Sequence, residues 1–238
     1  MEKTKIAAIA LIIAITLSIF GLVYAHWSDM AYIDGVVEMG SVTLSWDWVE
    51  PPTCQEFYLD PITGQLVKGE WENKEVGDID CWYEEEIYDE HSEKWGYKKL
   101  IIEVYNAYPQ YYAYTTGLLH NIGTIPVFVY GFEITGEKRD SITGDVVYNL
   151  LWYDPDGDWV GELWEDVDGD GKVDPAVDIL VINLKVQNTK FPLQIDPNYK
   201  EKMEVDMDFK QEAEQCHIYT IHISVLAVQW NKLDEVYP

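Results

Sequence analysis

Hydrophobic and polar residues alternate with a period of two along most of the chain. In residues 42–48, four apolar side chains alternate with Thr43, Ser45 and Asp47, which is typical of a strand with one buried face. No 3.6-residue apolar stripe extends beyond two turns, so the pattern predicts an antiparallel β-sandwich. Further β-rich runs are Leu100–Tyr105, Tyr111–Leu119, Val127–Ile134, Val146–Trp152, Ile179–Val186, Met203–Phe209 and His217–Trp230.

Turn residues separate these runs. The segments Asp60-Pro-Ile-Thr-Gly64 and Asp140-Ser-Ile-Thr-Gly144 both place an aspartate before a turn and a glycine after it, which predicts tips between strands. A short helix is compatible with Lys200–Glu204 or with Gln211–Gln215. Neither helix would change the all-β class.

Two acidic segments, residues 50–97 and 140–178, interrupt the alternation and are interpreted as loop insertions, the first of them with room for one hairpin of its own. Both contain aromatic residues of the kind that is usually buried, such as Trp82 and Trp164. We therefore expect one domain, residues 26–238, and not two domains joined by a linker.

The first 25 residues have the features of a secretory signal. Lys3 and Lys5 precede the apolar run Ile6–Tyr24, and small residues lead to an expected signal-peptidase cleavage site after Ala25. The sequence thus predicts a secreted protein, extracellular or on the cell surface. Without cleavage, the apolar run of about 19 residues could span a bilayer, so contact with a membrane is expected only through this segment.

Charge and cysteine content narrow the function classes. The chain has 16 Lys and Arg against 43 Asp and Glu, a formal net charge of −27, which argues against a nucleic-acid partner. Three cysteines, Cys54, Cys81 and Cys216, allow one disulfide in an exported protein. The pair Cys54–Cys81 is favoured because both lie in one irregular stretch, although the spacing leaves the pairing open.

The candidate chemistry is a calcium loop at residues 166–174. Its carboxylates stand at positions 1, 3, 5 and 9 of a glycine-containing turn, as in an EF-hand loop, and calcium takes six to eight oxygen ligands. Position 12 is Val177 where an EF-hand has glutamate, so an isolated calcium loop is predicted. The candidate ligands are Asp166, Asp168, Asp170, Asp174 and Asp178.

A second acidic loop lies just upstream. Asp154, Asp156 and Asp158 repeat the alternate spacing, but Trp159 stands where glycine is expected. This upstream loop and the loop at residues 166–174 could share one ion or hold two. Alternatively, these aspartates form solvated turns, although the mutual repulsion of carboxylates balanced only by Lys172 favours a bound cation.

Catalytic motifs are not found. The five histidines form no HExxH, and GxSxG, a P-loop and GxGxxG are all missing. Paired carboxylates carry little weight in so acidic a chain. We therefore expect no enzymatic activity and no catalytic residue.

Several blocks of the chain resemble the TasA/camelysin family of exported filament proteins. The blocks follow the family order and cover roughly residues 26–48, 98–134 and 179–231. They include His26-Trp-Ser-Asp29, Gly40-Ser-Val-Thr-Leu44, Tyr108-Pro-Gln-Tyr-Tyr112, Asn121-Ile-Gly-Thr-Ile-Pro-Val127, Leu193-Gln-Ile-Asp-Pro197 and Gln229-Trp-Asn231. Gln110 departs from the glycine usual in archaeal members.

The resemblance implies a jelly-roll-like β-sandwich and a homopolymer built by donor-strand complementation. In this mode an N-terminal segment, here within residues 26–37, adds a strand to the open sheet edge of a neighbouring subunit. A head-to-tail contact of this kind generates fibres, and similar archaeal proteins build calcium-dependent tubes and bundling pili. The expected apolar contacts of the donor are Trp27, Met30, Tyr32, Ile33 and Val36.

Three alternatives remain open. The N-terminal segment could pack as an ordinary edge strand of its own subunit. Camelysin itself suggests a surface metallopeptidase, for which this chain has no zinc-protease motif. A monomeric, calcium-stabilised surface module could instead bind glycans through exposed Trp and Tyr.

Overall fold

A computed structural model describes residues 40–60, 62–69, 77–109, 111–187 and 193–235. All strand pairings in these residues are antiparallel. The strands are β1 (Leu44–Asp47), β2 (Thr53–Leu59), β3 (Leu66–Lys68), β4 (Asp78–Asp89), β5 (Lys94–Tyr105), β6 (Tyr111–Asn121), β7 (Val127–Asp140), β8 (Val146–Tyr153), β9 (Val160–Glu165), β10 (Ile179–Gln187), β11 (Leu193–Ile195), β12 (Lys200–Phe209) and β13 (His217–Gln229), followed by a 3-10 helix, Trp230–Glu235.

The expected signal segment and the candidate donor segment, residues 26–37 with their five apolar contacts, lie outside the described residues. The compact unit that the structure describes begins at Gly40. There the chain lies beside the loop after β6, since the Ser41 amide donates to Thr124 Oγ1 at 2.8 Å.

The predicted period of two is the burial pattern of the sheet. Along β6, from Tyr111 to Asn121, buried and half-buried residues alternate at every position, because successive side chains of a strand point to opposite faces. Each predicted run overlaps a strand, so the all-β antiparallel class is confirmed. The helix expected near Lys200–Glu204 is wrong, because these residues begin β12, and Gln211–Gln215 forms a turn.

The sheet closes on itself as a barrel. Its strands follow the order β5, β13, β7, β8, β9, β10, β12 and β6, and β1 pairs with both ends of this series. Trp46 on β1 stands opposite both Tyr97 on β5 and Leu119 on β6. Its indole is fully buried, and Nε1 donates to the Ile223 carbonyl at 3.3 Å. Closure therefore depends on one short strand held by a core tryptophan.

The acidic segments 50–97 and 140–178 contribute more strand than the sequence indicated. Segment 50–97 supplies β2, β3, β4 and the start of β5, while 140–178 supplies β9 in addition to β8, which the run Val146–Trp152 had predicted. In β4 the buried Ile79 lies between exposed Asp78 and Asp80. An edge strand tolerates such acids because its outer side faces water. In sequence, an acidic edge strand therefore resembles an exposed loop.

A disulfide joins two of these strands. Cys54 on β2 and Cys81 on β4 are bonded, with their Cα atoms 6.1 Å apart, and Cys216 is a free, exposed thiol. The favoured pairing is thus the one present in the structure. It holds β2 beside β4 near the two ends of the strand series.

Candidate metal centre

The loop that joins β9 to β10 carries the predicted calcium ligands. Glu165 pairs with Ile179 at its base, so the next residues inward, Asp166 and Asp178, face each other. Both are buried, each 6% exposed. Two strands, and not the two helices of an EF-hand, therefore hold this loop.

Three carboxylates converge at this base. One oxygen from each of Asp166, Asp168 and Asp178 lies within 4.8 Å of the other two. Calcium binds oxygen at about 2.3–2.6 Å, so ligands on opposite sides of one ion are separated by about 5 Å. The spacing fits three ligands of one calcium ion, with backbone carbonyls and water left to complete the shell.

The backbone of the loop is wound around Asp166. Its Oδ1 accepts from the Gly169 amide at 2.8 Å and its Oδ2 from the Gly171 amide at 3.2 Å. Both glycines have a φ of 74°, a conformation that side chains with a Cβ rarely adopt. The glycines thus allow the backbone to turn, and the aspartates between them supply both hydrogen-bond acceptors and negative charge.

Asp178 lies one residue beyond position 12, where an EF-hand has glutamate, and joins the group of three carboxylates. Its Oδ1 accepts from the Val167 amide at 3.0 Å and its Oδ2 from the Asp174 amide at 2.7 Å. Val177, which occupies position 12 in sequence, is 43% exposed. The extra residue is accommodated because a strand begins here, and strand pairing directs the Asp178 side chain towards Asp166.

Two of the predicted ligands are not brought into this group. Asp170 Oδ1 accepts from the Lys172 amide at 2.8 Å, and Asp174 Oδ1 accepts from the Ala176 amide at 2.9 Å. Each carboxylate therefore caps its own local turn. Asp168 makes the same kind of cap, since its Oδ1 accepts from the Asp170 amide at 3.1 Å, so the expected coordination by Asp170 and Asp174 stays a prediction.

The second predicted cluster also forms. One carboxylate oxygen from each of Asp154, Asp156 and Asp158 lies within 4.8 Å of the other two, in the loop between β8 and β9. Trp159 adopts a φ of 66° where glycine was expected, and its amide donates to Asp154 at 2.9 Å. Asp156 and Asp158 are exposed, so this cluster is less enclosed than the first.

The two clusters lie at opposite ends of β9. A strand rises about 3.3 Å per residue, so the six residues Val160–Glu165 separate them by roughly 17 Å. One ion cannot bridge that distance. Of the two alternatives left by the sequence, sharing one ion is thereby ruled out by geometry.

The donor set indicates the class of metal. Among the described residues, the two groups able to hold an ion consist of aspartates alone. Carboxylate oxygens suit hard cations such as calcium, whereas zinc sites use sulfur and imidazole ligands. His120 instead contacts buried Asp47, with Nδ1 3.0 Å from Oδ1, and Lys200 Nζ lies 2.8 Å from the other oxygen of Asp47.

Sequence reasoning did not locate an exposed aromatic cluster near β1. Its exposed members are Trp48, Trp82, Tyr88 and Trp95, which are 37–46% exposed. Trp48 stacks on Tyr97 at 4.9 Å, and Tyr88 lies 4.8 Å from Trp95. The spacing of aromatic residues within one strand is visible in the sequence, because residues two apart in a strand share a face. That the aromatics of different strands meet depends on the register between β1, β4 and β5, which the sequence does not show.

No protein-family profile, curated protein or solved structure matches this chain. The resemblance to exported filament proteins therefore stays a prediction. Among the described residues, no helix is long and apolar enough to cross a membrane.

Proposed function

We propose that the chain is an exported structural subunit that polymerises into extracellular filaments, pili or tubes. Its N-terminal segment, residues 26–37, adds as a strand to the sheet of a neighbouring copy, and calcium stabilises the subunit. The observation that carries the proposal is a long open sheet edge. β4 has twelve residues, and within the described residues it pairs with β5 alone.

An open edge of this length suits strand addition. Unpaired backbone N–H and C=O groups along an edge strand can be satisfied by an incoming strand, as in β-augmentation. Closure through β1 leaves β3 and β4 as the ends of the strand series. β3 has only three residues, so β4 is the favoured acceptor.

The disulfide restricts where the incoming strand can bind. A strand inserted between two others would separate them by about 9.6 Å, twice the usual spacing. The Cα atoms of Cys54 and Cys81 are 6.1 Å apart, which leaves no room for a strand between β2 and β4 at this point. In this proposal the donor segment therefore adds to the β4 edge away from Cys81, where β2 lies beside β4, and does not enter between these two strands.

Calcium has a clear electrostatic role in this proposal. Subunits of net charge −27 repel one another, and repulsion opposes polymerisation. Ions bound by Asp166, Asp168 and Asp178, with further ions at Asp154, Asp156 and Asp158, lower that charge. They also neutralise carboxylates that would otherwise repel one another within each loop.

Negative-stain electron microscopy of residues 26–238 tests the proposal, with calcium and with a chelator. Filaments are expected with calcium. A chain lacking residues 26–37 is expected to remain folded by circular dichroism but to stay monomeric. Ile33→Asp should prevent assembly by placing a charge in an apolar pocket, whereas the neighbouring Asp34→Asn serves as the matched control and should assemble. A monodisperse wild-type monomer in every condition would refute strand donation.

A second candidate function is supported by the aromatic cluster. Trp48, Trp82, Tyr88 and Trp95 are partly exposed, and Trp48 and Trp82 line a cleft of about 330 Å³. Aromatic rings combine apolar faces with polar tips, and exposed patches of this kind mark binding sites. This arrangement suits a neutral glycan, because the surrounding acidic surface disfavours anionic ones.

Affinity electrophoresis in a gel containing hydroxyethyl cellulose distinguishes this candidate. The glycan-binding function predicts retardation of the monomer. The double variant Trp48→Ala/Trp95→Ala should lose it, while Trp230→Ala, which removes a tryptophan 53% exposed outside the cluster, should not. Unretarded migration of the wild-type protein would refute glycan binding, and the filament function would be the remaining candidate.

A further inference from the structure

Lys138 on β7 is buried in the protein interior between two glutamates. Its side chain is 1% exposed, and Nζ lies 2.9 Å from Oε1 of Glu165, which is 2% exposed. Nζ also lies 2.8 Å from Oε2 of Glu214, whose side chain is 62% exposed. In the other lysine–carboxylate pairs of the described residues at least one partner is far more exposed, as Lys200 is at 31% in its pair with buried Asp47. Burial of both members therefore distinguishes Lys138–Glu165.

Aromatic rings enclose the ammonium group. Nζ lies 5.5 Å from the ring centre of Tyr148 and 5.9 Å from that of Tyr219. Tyr219 also holds the second glutamate in place, because its Oη accepts from the Glu214 amide at 2.9 Å. A buried ion pair loses its hydration on both sides, so a reaction that removes both charges is favoured here.

We propose that Lys138 and Glu165 are joined by an intramolecular isopeptide bond that forms after folding. Glu214 first takes one proton from the ammonium, and the freed Nζ electron pair attacks Cδ of Glu165. The new C–N bond forms, and the bond from Cδ to one carboxylate oxygen breaks as that oxygen is protonated. Two of the three ammonium protons leave with that oxygen as water, and the third stays on the amide nitrogen. The reaction thus converts an ammonium and a carboxylate into an amide and one water, without oxidant or cofactor.

The neighbouring groups suit this step. Holding an amine beside a carboxyl group replaces a bimolecular reaction by an intramolecular one, for which effective molarities reach about 10⁵ M or more. Glu214 contacts Nζ and reaches solvent, so it can accept a proton from the amine and return it to the leaving oxygen, as a general acid–base. Its exposure also explains why Glu165, and not Glu214, is the acyl partner, since water competes at an exposed carboxyl.

The bond would cross-link two strands of the barrel, β7 and β9. β7 and β9 do not pair with each other, and each pairs with β8. A covalent link from Lys138 to Glu165 therefore closes the sheet across β8, independently of the disulfide between β2 and β4. This inference does not depend on polymerisation and holds for a monomer as well.

Peptide mapping by mass spectrometry of the reduced full chain tests it. The expected result is a branched peptide containing Lys138 and Glu165, lighter than the sum of its parts by one water, with no tryptic cleavage after Lys138. Ordinary cleavage after Lys138 in the wild-type protein, with both peptides at full mass, would overturn the proposal. This readout needs no variant to fold.

Three variants then separate the roles. Lys138→Arg keeps the positive charge and should abolish the branched peptide. Lys202→Arg, at an exposed lysine, should leave it unchanged. Glu214→Gln should reduce the linked fraction at least tenfold at early times after refolding, while circular dichroism shows the native sheet. Unchanged linkage in Glu214→Gln would remove the assigned proton-transfer role.

Discussion

Asp166 and Asp178 lie side by side at the base of the β9–β10 loop, each 6% exposed. Backbone amides of the loop donate to both carboxylates, so the two side chains are held in position before any ion arrives. Two buried carboxylates this close repel each other in the absence of a cation. Calcium binding should therefore couple directly to the stability of the fold.

Calcium is expected to raise the melting temperature of the protein. A ligand that binds only the folded state at 100 times its Kd adds about 2.7 kcal/mol to the free energy of unfolding. For a domain of this size each kcal/mol corresponds to about 2–4 °C. Differential scanning calorimetry with calcium and with chelator should show an increase of roughly 5–10 °C.

The variants for this measurement are matched. Asp166→Asn and Asp178→Asn remove one charge each and should lose most of the calcium-dependent increase. Asp140→Asn removes an aspartate that also caps a turn, with Oδ1 accepting from Ile142 at 2.9 Å, but lies outside both clusters, so the increase should persist. Equal melting temperatures of the wild-type protein with calcium and with chelator would contradict a stabilising calcium site.

Part of the site could be predicted from the sequence because local spacing determines it. Asp166 and Asp168 are two apart on one glycine turn, so their proximity is a local property of the chain. Asp178 joins them because β9 and β10 pair, which is a tertiary effect. Asp170 and Asp174 share the spacing but lie outside this group of three, and spacing alone does not reveal which carboxylates converge.

The strands also divide into features that local sequence determines and features that depend on tertiary contacts. Alternation located β6 and β12 because one face is buried along all of β6 and along β12 from Met203 onward. It could not show that β1 pairs with both β5 and β6, since that closure depends on contacts between distant residues such as Trp46 and Leu119. β4 was missed because its acids alternate with half-buried aromatics such as Tyr83, and edge strands present weaker apolar patterns.

Gly117→Ala should destabilise the barrel at its closure. A Cβ on Gly117 would lie 2.8 Å from the ring of Trp46 and 3.1 Å from Tyr83 Oη. Trp46 is fully buried and cannot move away, so overpacking should cost about 1–3 kcal/mol. Urea unfolding followed by tryptophan fluorescence measures the change.

A double-mutant cycle identifies the cause. Trp46→Phe removes the part of the ring that the new methyl would contact, so the effect of Gly117→Ala should be smaller in that background. If Gly117→Ala costs the same in both backgrounds, the clash with Trp46 is not its origin.

Removal of the disulfide should lower stability. Cys54 and Cys81 are 27 residues apart in sequence, and bridges of this kind contribute about 2–4 kcal/mol, chiefly by restricting the unfolded chain. The double variant Cys54→Ser/Cys81→Ser is expected to unfold at a lower urea concentration by that amount. Cys216→Ser alters an exposed, unbonded thiol and should unfold with the wild-type protein. Coincident curves for all three proteins would contradict the predicted contribution.

Asp89 should make stability depend on pH in the acid range. Its carboxylate lies at the turn between β4 and β5, where it accepts from Thr43 Oγ1 at 2.5 Å and from the Ser92 amide at 2.9 Å. Burial alone would raise the pKa of this carboxyl, but the hydrogen bonds lower it to about 2. The ordinary pKa of an unfolded aspartate is about 3.9.

The direction of the effect follows from these two pKa values. The unfolded chain binds a proton at Asp89 before the folded protein does, so the contribution is fully present above about pH 4 and is lost as the pH falls towards 2. We expect Asp89→Asn to be less stable than the wild-type protein near pH 6 by on the order of 1 kcal/mol. The difference should shrink as both are titrated to pH 2, measured by thermal unfolding in chelator. A difference that stays constant from pH 6 to pH 2 would show that the lost interaction does not involve the charge of Asp89.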